Sequence, residues 1–248
     1  MKLRLEGDTA FFGVVVPLDR FESLAREHSL RVSDTSDIEA EARQFAADGI
    51  PELAVAGFVK RVCDWGGYSG VWGRILRDNN SRAIREALVE AMRHLNEAPP
   101  NLVAALASVN RVKGLGQVSF ASKHLRFLRP DLCPVFDSYL QAALPYPSDL
   151  NGYASFAADC RRLGQVLAER GAFNPWPSRD GRWFAADVEA AVFSFVRLEA
   201  GDWGEPALRA DAAPRYARAE RAANAALDCT TFGRSSKGHA LRTVRLML

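Results

Sequence analysis

The sequence predicts an all-α fold. Apolar residues recur at helical spacing along most of the chain, and residues that cap or break helices separate these periodic stretches. Alternating runs typical of strands are almost absent, because the run at 13–18 is short and the run at 112–120 contains too much glycine. No internal repeat, low-complexity tract or long linker divides the chain, so a single domain over residues 1–248 is expected.

Four helices are expected in the first part of the chain. Their ranges are 18–28, 36–47, 51–65 and 81–96. Ser36 and Ser81 have side chains that cap a helix start, and Pro51 suits a first helical turn. Glycine ends two of these helices, at Gly49 and at the pair 66–67. The last of the four is amphipathic, with an apolar face made of Ile84, Leu88, Ala91, Met92 and Leu95.

Proline and glycine organise the rest of the chain. A proline pair at 99–100 breaks it, a short helix from Asn101 leads into a Gly-Leu-Gly turn at 114–116, and this turn opens an apolar helix that stops at Pro130. Later helices are expected at 137–145, 152–170, 184–199 and 214–227. The stretch 145–152 is the candidate hinge between two lobes. One lobe spans about 33–145 with a hairpin at 109–123, and the other spans about 150–248 plus the N-terminal segment.

Composition excludes several classes of protein. The chain has 248 residues, of which 48% are hydrophobic and 25% charged, with a net charge of +2, as in ordinary globular proteins. No apolar run approaches the roughly 20 residues that a membrane-spanning helix needs. The N-terminal stretch is a poor signal peptide, because Gly13, Pro17 and Asp19 interrupt or end its apolar run. We expect a cytoplasmic monomer with no membrane partner.

Cysteine and histidine form no local ligand pattern. The cysteines are widely scattered, at Cys63, Cys133, Cys160 and Cys229. The histidines are His28, His94, His124 and His239, and no two of them are spaced as a ligand pair. Zinc sites and disulfide frameworks need closer spacings than these. We therefore expect free buried thiols, no metal site and no cofactor.

Basic and acidic residues are segregated along the chain. Between residues 109 and 130 the basic residues, with no acid among them, are Arg111, Lys113, Lys123, Arg126 and Arg129. The C-terminal stretch 229–248 is also basic, whereas 33–48 is mostly acidic. Segregation of this kind is typical of a face that binds a polyanion. The alternative is that the basic runs are only solvated surfaces.

Residues 113–140 contain the pattern that is most informative about function. A glycine turn at a helix start exposes backbone N–H groups without a helical partner, which suit a phosphate. Asp137 follows the apolar segment 134–136 and is a candidate for a shifted pKa or for stabilising a nearby cation. The pattern indicates a protein that grips a nucleic-acid backbone and does chemistry a short distance away.

The order of a short helix, a hairpin with a Gly-Leu-Gly turn, a second helix and an Asp resembles the helix-hairpin-helix DNA glycosylase superfamily. Asp137 lies 23 residues after Gly114, which is the separation found in the 8-oxoguanine DNA glycosylase branch. The stretch 119–138, SFASKHLRFLRPDLCPVFDS, also looks like small prokaryotic proteins with that fold. One such branch acts in defence against phages and removes glucosylated hydroxymethylcytosine from phage DNA. The resemblance covers about 30 residues.

This resemblance implies a two-lobed all-α catalytic domain. Such a domain flips a modified base out of double-stranded DNA and excises it, and Asp137 would be the essential acid. The residues expected to contact the DNA backbone are Gly114, Leu115, Gly116, Gln117, Arg111 and Lys113.

The sequence departs from this family at one position. Bifunctional members carry a lysine two residues after the second hairpin glycine, where it forms a Schiff base with the sugar, and this chain has Val118 there. Lys123 lies five residues further along the same helix, about 500° of rotation away, so it points elsewhere unless the register differs. Lys123 remains a candidate for a catalytic or pocket role, with a phosphate contact or a solvated position as alternatives.

Asp137 suits base excision without that lysine. Breaking an N-glycosidic bond builds positive charge on the deoxyribose, and a carboxylate can stabilise this charge while it positions or deprotonates a water. The alternative is an N-cap, because an Asp before Ser138 is a good helix start. The two roles are compatible.

Base flipping also needs stacking surfaces and a wedge. A glycine-rich loop expected at 64–74 contains Trp65, Tyr68 and Trp72, which are candidates for the base pocket or wedge. Core packing is the alternative for all three. The aromatic segment 173–184 suits a pocket wall or packing between lobes equally well.

Three functions are compatible with these patterns. The first is a DNA glycosylase whose substrate is an oxidised purine or a bulky phage cytosine. The second is a DNA-binding module that keeps the hairpin but has lost catalysis, such as the sensor of a defence system. The third is a helical protein-interaction domain in which the glycine turn is merely structural.

Overall fold

A computed structural model of the chain describes residues 5–6, 8–11, 14–16, 18–32, 34–176 and 179–199. Its first elements are three short antiparallel strands in the order β1-β2-β3, with Thr9 opposite Val16. They are β1 (Leu5–Glu6), β2 (Asp8–Phe11) and β3 (Val14–Val16). The third strand lies in the run at 13–18, which looked too short to be a strand. A strand of this length forms because it has a partner, and three strands stabilise one another better than two.

The remainder of the described chain is helical, which confirms the all-α expectation in its coarse form. The helices are α1 (Leu18–Arg31), α2 (Thr35–Ala47), α3 (Val55–Trp65), α4 (Ser69–Asp78), α5 (Ser81–Leu95), α6 (Leu102–Asn110), α7 (Val118–Leu128), α8 (Ser138–Ala143), α9 (Leu150–Glu169) and α10 (Ala185–Glu199). No helix among the described residues has both the length and the apolar character to cross a membrane. The helix expected at 214–227 and the basic stretch 229–248 lie outside the described residues.

Two of the predicted helix caps were wrong by one or two residues. Helix α5 is capped by Asn80, whose Oδ1 accepts the N–H of Ala83 at 2.7 Å, and Ser81 is already helical. Helix α2 follows Asp34 rather than Ser36. Asn and Asp are as favourable at an N-cap as Ser, so neighbouring polar residues compete for the position.

The expected glycine-rich loop at 64–74 is mostly helix, which corrects the sequence interpretation. Helix α4 starts at Ser69, and only 66–68 connect it to α3. Ile75 is fully buried, whereas a Cβ added at Gly73 would meet open space. Each glycine in a helix costs about 1 kcal/mol relative to Ala. Burial of the apolar face of α4 outweighs this cost.

Helix α7 lies at the centre of the packing. Every residue from Ala121 to Leu128 is buried, and the helix packs against α2, α3 and α6. Helix α10 packs against α1, α8 and α9, and α6 contacts α9 as well as α7. The N-terminal helix therefore lies with the C-terminal ones. The division into two lobes at 145–152 stays a prediction.

A buried ion-pair cluster, formed by Glu39, Arg126, Arg179 and Asp187, joins α2, α7 and α10. Glu39 lies 2.6 Å from Arg126 and 2.8 Å from Arg179, and Arg179 lies 2.9 Å from Asp187. All four side chains are buried, so each charge depends on its partner for compensation. Glu39 and Arg126 belong to the acidic and basic stretches that were expected at the surface, and they neutralise each other inside the protein.

Candidate functional site

The turn between α6 and α7 needs glycine at its first position. Gly114 has φ +93°, a conformation that residues with a side chain rarely adopt. A Cβ there would come within 2.8 Å of Ile75 Cγ1. Leu115 is fully buried and its N–H donates to Val112 O at 2.9 Å, whereas Gly116 is exposed. The turn is thus anchored by Leu115 and presents Gly116 to the surface.

Asn79 clamps the backbone of this turn from the end of α4. Its Oδ1 accepts the N–H of Lys113 at 3.0 Å, and its Nδ2 donates to Lys113 O at 2.9 Å. The same Nδ2 donates to Ile75 O at 2.7 Å. The sequence analysis missed Asn79, because no local pattern links a residue after α4 to a turn 34 positions later.

The basic residues of 109–130 do not form one exposed face, which corrects the polyanion-face prediction for this stretch. Arg126 is buried in the ion-pair cluster, and Lys123 is buried as well. Arg129 is half-buried and pairs with Asp131 at 2.7 Å. Arg111 and Lys113 are exposed, and Arg111 forms an ion pair with Glu90. Among the five basic residues of 109–130, Arg111 and Lys113 are the ones that leave cationic side chains beside the turn.

A cleft of about 480 Å³ opens at the amino end of α7. Its lining residues are Asn110, Gly116, Gln117, Val118, Ser119, Phe120, Ser138, Gln141, Ser148, Asp149 and Leu150. Backbone N–H groups of a first helical turn have no intrahelical acceptor. Asp149, which also lines the cleft, caps α9 by accepting the N–H of Gly152 at 2.8 Å. The lining of the cleft therefore combines the backbone N–H groups of a helix start with one carboxylate.

Asp137 stands at the start of α8, beside this cleft. Its Oδ1 accepts the N–H of Leu140 at 3.0 Å, which is the N-cap geometry considered above. This bond uses one of the two carboxylate oxygens, and the residue is half-buried. The preceding residue is fixed on both sides, because Phe136 N–H donates to Ser122 Oγ at 3.1 Å and Gln141 donates to Phe136 O at 2.7 Å. The Asp137 carboxylate is therefore fixed in position by its own hydrogen bond and by the bonds to the backbone of Phe136.

Lys123 lies inside the protein, near Asp137. Only 6% of it is exposed, and its Nζ donates to the carbonyl and hydroxyl oxygens of Ser119, both at 3.2 Å. Burial lowers the pKa of the Lys123 ammonium, and the charges of Asp137 and Glu189 act in the opposite direction. The solvated alternative for Lys123 was wrong. The catalytic or pocket role of Lys123 stays a prediction, and helix α7 directs the side chain into the interior near Asp137.

Glu189 on α10 is a second acid near this pair, and the sequence analysis missed it. The residue is 5% exposed, and its Oε2 accepts the N–H of Val135 at 3.3 Å. Burial first, and then the charge of Asp137, raises the pKa of Glu189 to about 8, against the lowering effects of Arg126, the Val135 N–H and Lys123. A lone acid in the apolar run VEAAVF was a signal that could have found it.

The three candidate wedge residues are not brought together. Tyr68 lies at the site, with its ring centroid 5.5 Å from Lys123 Nζ and 4.7 Å from the ring of Phe120. Trp65 is partly buried, donates from Nε1 to Thr35 Oγ1 at 2.9 Å and packs against the core. Trp72 is half-buried on α4 below Lys60. Tyr68 is therefore the one of these three that contacts Lys123.

Gly66 allows Lys123 and Tyr68 to pack together. A Cβ added at Gly66 would lie 2.9 Å from Lys123 Cδ and would collide with the ring of Tyr68. Gly66 thus has a packing role in addition to ending α3, whereas a Cβ at Gly67 would meet open space.

Comparison of the chain with protein-family models, with curated proteins and with solved structures finds no match. In the part of the chain that the structure describes, no group of three or more His, Cys, Asp or Glu side chains is arranged to hold a metal ion. Function is therefore inferred from the site itself.

Proposed function

We propose that this protein is a DNA N-glycosylase, which flips a modified base out of duplex DNA and hydrolyses its N-glycosidic bond. The observation that supports this most strongly is the placement of Asp137. A held, half-buried carboxylate lies near a buried ammonium, Lys123, and beside a cleft whose other side is a helix start. The resemblance to helix-hairpin-helix glycosylases, in residues 113–140, points to the same reaction.

The cleft at the start of α7 would hold one phosphate of the DNA backbone. The N–H groups from Gly116 to Ser119 carry the partial positive charge of a helix start, which favours an anion. Lys113 and Arg111 lie next to the turn and would add cationic contacts. Asp149, which also lines the cleft, would repel an anion, so the phosphate is expected on the side of the turn.

Asp137 would act on the deoxyribose. As the bond between C1′ and the base nitrogen breaks, the base leaves with the electron pair and positive charge develops on the sugar. A carboxylate facing C1′ stabilises this charge and accepts a proton from the water whose oxygen then bonds to C1′. The products are a free base, protonated by solvent, and an abasic site.

The substrate would be a base that is already easy to unpair or too bulky for its stack. An oxidised purine and a hypermodified phage cytosine, such as glucosylated hydroxymethylcytosine, both meet this condition. The first would make the protein a DNA repair enzyme, and the second an enzyme of antiviral defence. Tyr68 and Phe120 provide a paired aromatic surface near Lys123 that could contact such a base.

One observation favours a second candidate, a catalytically inactive DNA-binding or sensor module. Asp137 caps α8, and this structural role alone would account for an Asp at the position. In this alternative the turn and cleft still bind DNA, but no base is released.

Incubation with DNA that carries different base modifications, followed by alkali, tests the proposal, because alkali cleaves the strand at an abasic site. The decisive variant is Asp137→Asn, because Asn caps a helix as well as Asp does but carries no charge. We expect base release to fall by about 100-fold or more while DNA binding is kept. Base release that survives this substitution would contradict a catalytic Asp137. DNA binding without base release from any modified DNA would support the sensor module.

A further inference from the structure

Glu189 reaches across from α10 to the segment that ends in Asp137. It accepts the N–H of Val135, two residues before Asp137, and it is almost completely buried. Phe136, the residue between them, is held by Ser122 on α7. The segment before the candidate acid is therefore fixed from two helices, and a carboxyl group supplies one of the two contacts.

The charges around this segment do not balance if both acids are ionised. Lys123 interacts with the charges of both Asp137 and Glu189. Arg126 is the other nearby cation, but it is committed to Glu39 at 2.6 Å in the ion-pair cluster. One ammonium cannot compensate two carboxylates in a site with little water, so one acid keeps its proton. The more buried acid is the one that does so, and that acid is Glu189.

We propose that Glu189 is a positioning residue of the Asp137 site: as a neutral acid it holds the Val135 N–H and leaves Lys123 to compensate Asp137 alone. It does not touch the substrate in this role. Once Glu189 loses its proton, a second negative charge competes for Lys123 and repels Asp137. The charge on Glu189 therefore acts as a pH-dependent control of the site. The effect on catalysis rests on the function proposed above, but the protonation of Glu189 does not.

The groups that face Glu189 come from every element packed around it. Lys123 and Arg126 lie on α7, and Asp137 lies at the start of α8. Tyr153 and Cys160 on α9 also feel its charge, and burial raises the pKa of both. On α1 the buried titratable side chain is His28, which packs against Phe193 of α10. Arg126, the hydrogen bond from the Val135 N–H and Lys123 favour the ionised form of Glu189. They do not overcome its burial and the charge of Asp137, so its pKa stays raised to about 8.

Unfolding by urea as a function of pH tests the protonation without any need for enzymatic activity. The proteins compared are the wild type, Glu189→Gln and the control Glu169→Gln, in which an exposed acid of α9 is replaced. If the pKa of Glu189 is higher in the folded protein than in the unfolded chain, the folded state becomes less stable as the pH rises. Between about pH 5 and 8 the folding equilibrium constant of the wild type should fall about tenfold per pH unit relative to Glu189→Gln. Glu169→Gln should follow the wild type.

Parallel pH profiles for the wild type and Glu189→Gln would overturn the proposal. If Glu189→Gln does not fold, the carboxyl carbon of Glu189 in the wild type gives the same information by NMR. A change in the chemical shift of this carbon with a midpoint near pH 8 supports the proposal that Glu189 keeps its proton at neutral pH. A chemical shift that already shows an ionised carboxylate at pH 6 overturns the proposal.

Activity provides the second half of the test. We expect base release by the wild type to decline above about pH 8, by about tenfold per pH unit, and Glu189→Gln to lose this decline. Glu189→Ala, which removes the acceptor of the Val135 N–H, should lower kcat at every pH. An alkaline decline that persists in Glu189→Gln would refute the positioning role. If no base release is found for any variant, the proposed function fails, while the unfolding experiment still decides the state of Glu189.

Discussion

The hydroxyl of Ser122 accepts a hydrogen bond from the backbone N–H of Phe136 at 3.1 Å. This bond joins the middle of α7 to the residue before Asp137. The same helix opens with the turn at 114–116, so one rigid element supports both the candidate phosphate cleft and the candidate acid. A contact to DNA at the start of α7 would thereby fix where the sugar lies relative to Asp137, which is the positioning that catalysis requires.

Ser122→Ala should test this connection. The substitution leaves the buried N–H of Phe136 without its acceptor, which costs about 1–3 kcal/mol in the free energy of unfolding. Ser108→Ala is the matched control, because Ser108 is also buried but only bonds Ala104 O within its own helix. We expect it to cost less than about 1 kcal/mol. Urea unfolding measures both, and equal costs would show that the Ser122 bond has no special role.

Gly114→Ala should weaken both folding and DNA binding. The positive φ and the contact with Ile75 each oppose a side chain, and together they should lower the free energy of unfolding by about 1–3 kcal/mol. Gly73→Ala on α4 is the control, because its Cβ would meet open space and should be neutral or stabilising by up to about 1 kcal/mol. Duplex DNA binding, measured on both variants, should fall only for Gly114→Ala. A normal affinity in that variant would separate the turn from DNA binding.

Local patterns predicted most helices, whereas the contacts that assemble the site escaped them. Caps and breakers marked α6 and α7 because these signals act within a few residues. Helix α4 was missed because its glycines obscured an apolar face that only tertiary packing satisfies. Asn79 and Glu189 act on backbone groups 34 and 54 positions away, and no spacing rule connects such pairs. Asp137 and Lys123 could be singled out from sequence, but Ser122 and Glu189, which hold the segment before Asp137, could not.

Acid should destabilise the fold through two buried histidines. Burial lowers the pKa of His28 to about 3 and that of His124 to about 4, below the ordinary value of 6.5. The unfolded chain therefore binds more protons below pH 6.5, and each histidine lowers the free energy of unfolding by about 1.4 kcal/mol per pH unit toward its native pKa. The raised pKa of Glu189 has the opposite effect, because it stabilises the fold as the pH falls. A single stability curve of the wild type would mix the two effects, so each variant is compared with the wild type.

His124→Gln isolates one of these contributions. Relative to the wild type, its free energy of unfolding should decline less steeply between about pH 6.5 and 4.5, by about 1.4 kcal/mol per pH unit. The comparison uses the slope, because the substitution can also change stability at every pH by removing the bond between His124 Nδ1 and Phe120 O. An unchanged slope, measured by urea unfolding at several pH values, would mean that His124 takes up its proton as readily in the folded protein as in the unfolded chain.

Borohydride should trap no covalent adduct between this protein and DNA. A trapped adduct requires a lysine amine to attack C1′, expel the base and form an imine that borohydride reduces. Val118 occupies the first turn of α7, and Lys123 is buried with its Nζ bonded to Ser119.

Lys123→Met should nevertheless lower base release by about tenfold or more, because the ammonium beside Asp137 is lost. Lys113→Gln is the contrasting variant. It should weaken DNA binding and reduce by about one the number of counterions that DNA binding releases, while leaving the chemical step unchanged. An adduct that forms with the wild type and disappears in Lys123→Met would show instead that Lys123 is the nucleophile and that the reaction proceeds through an imine.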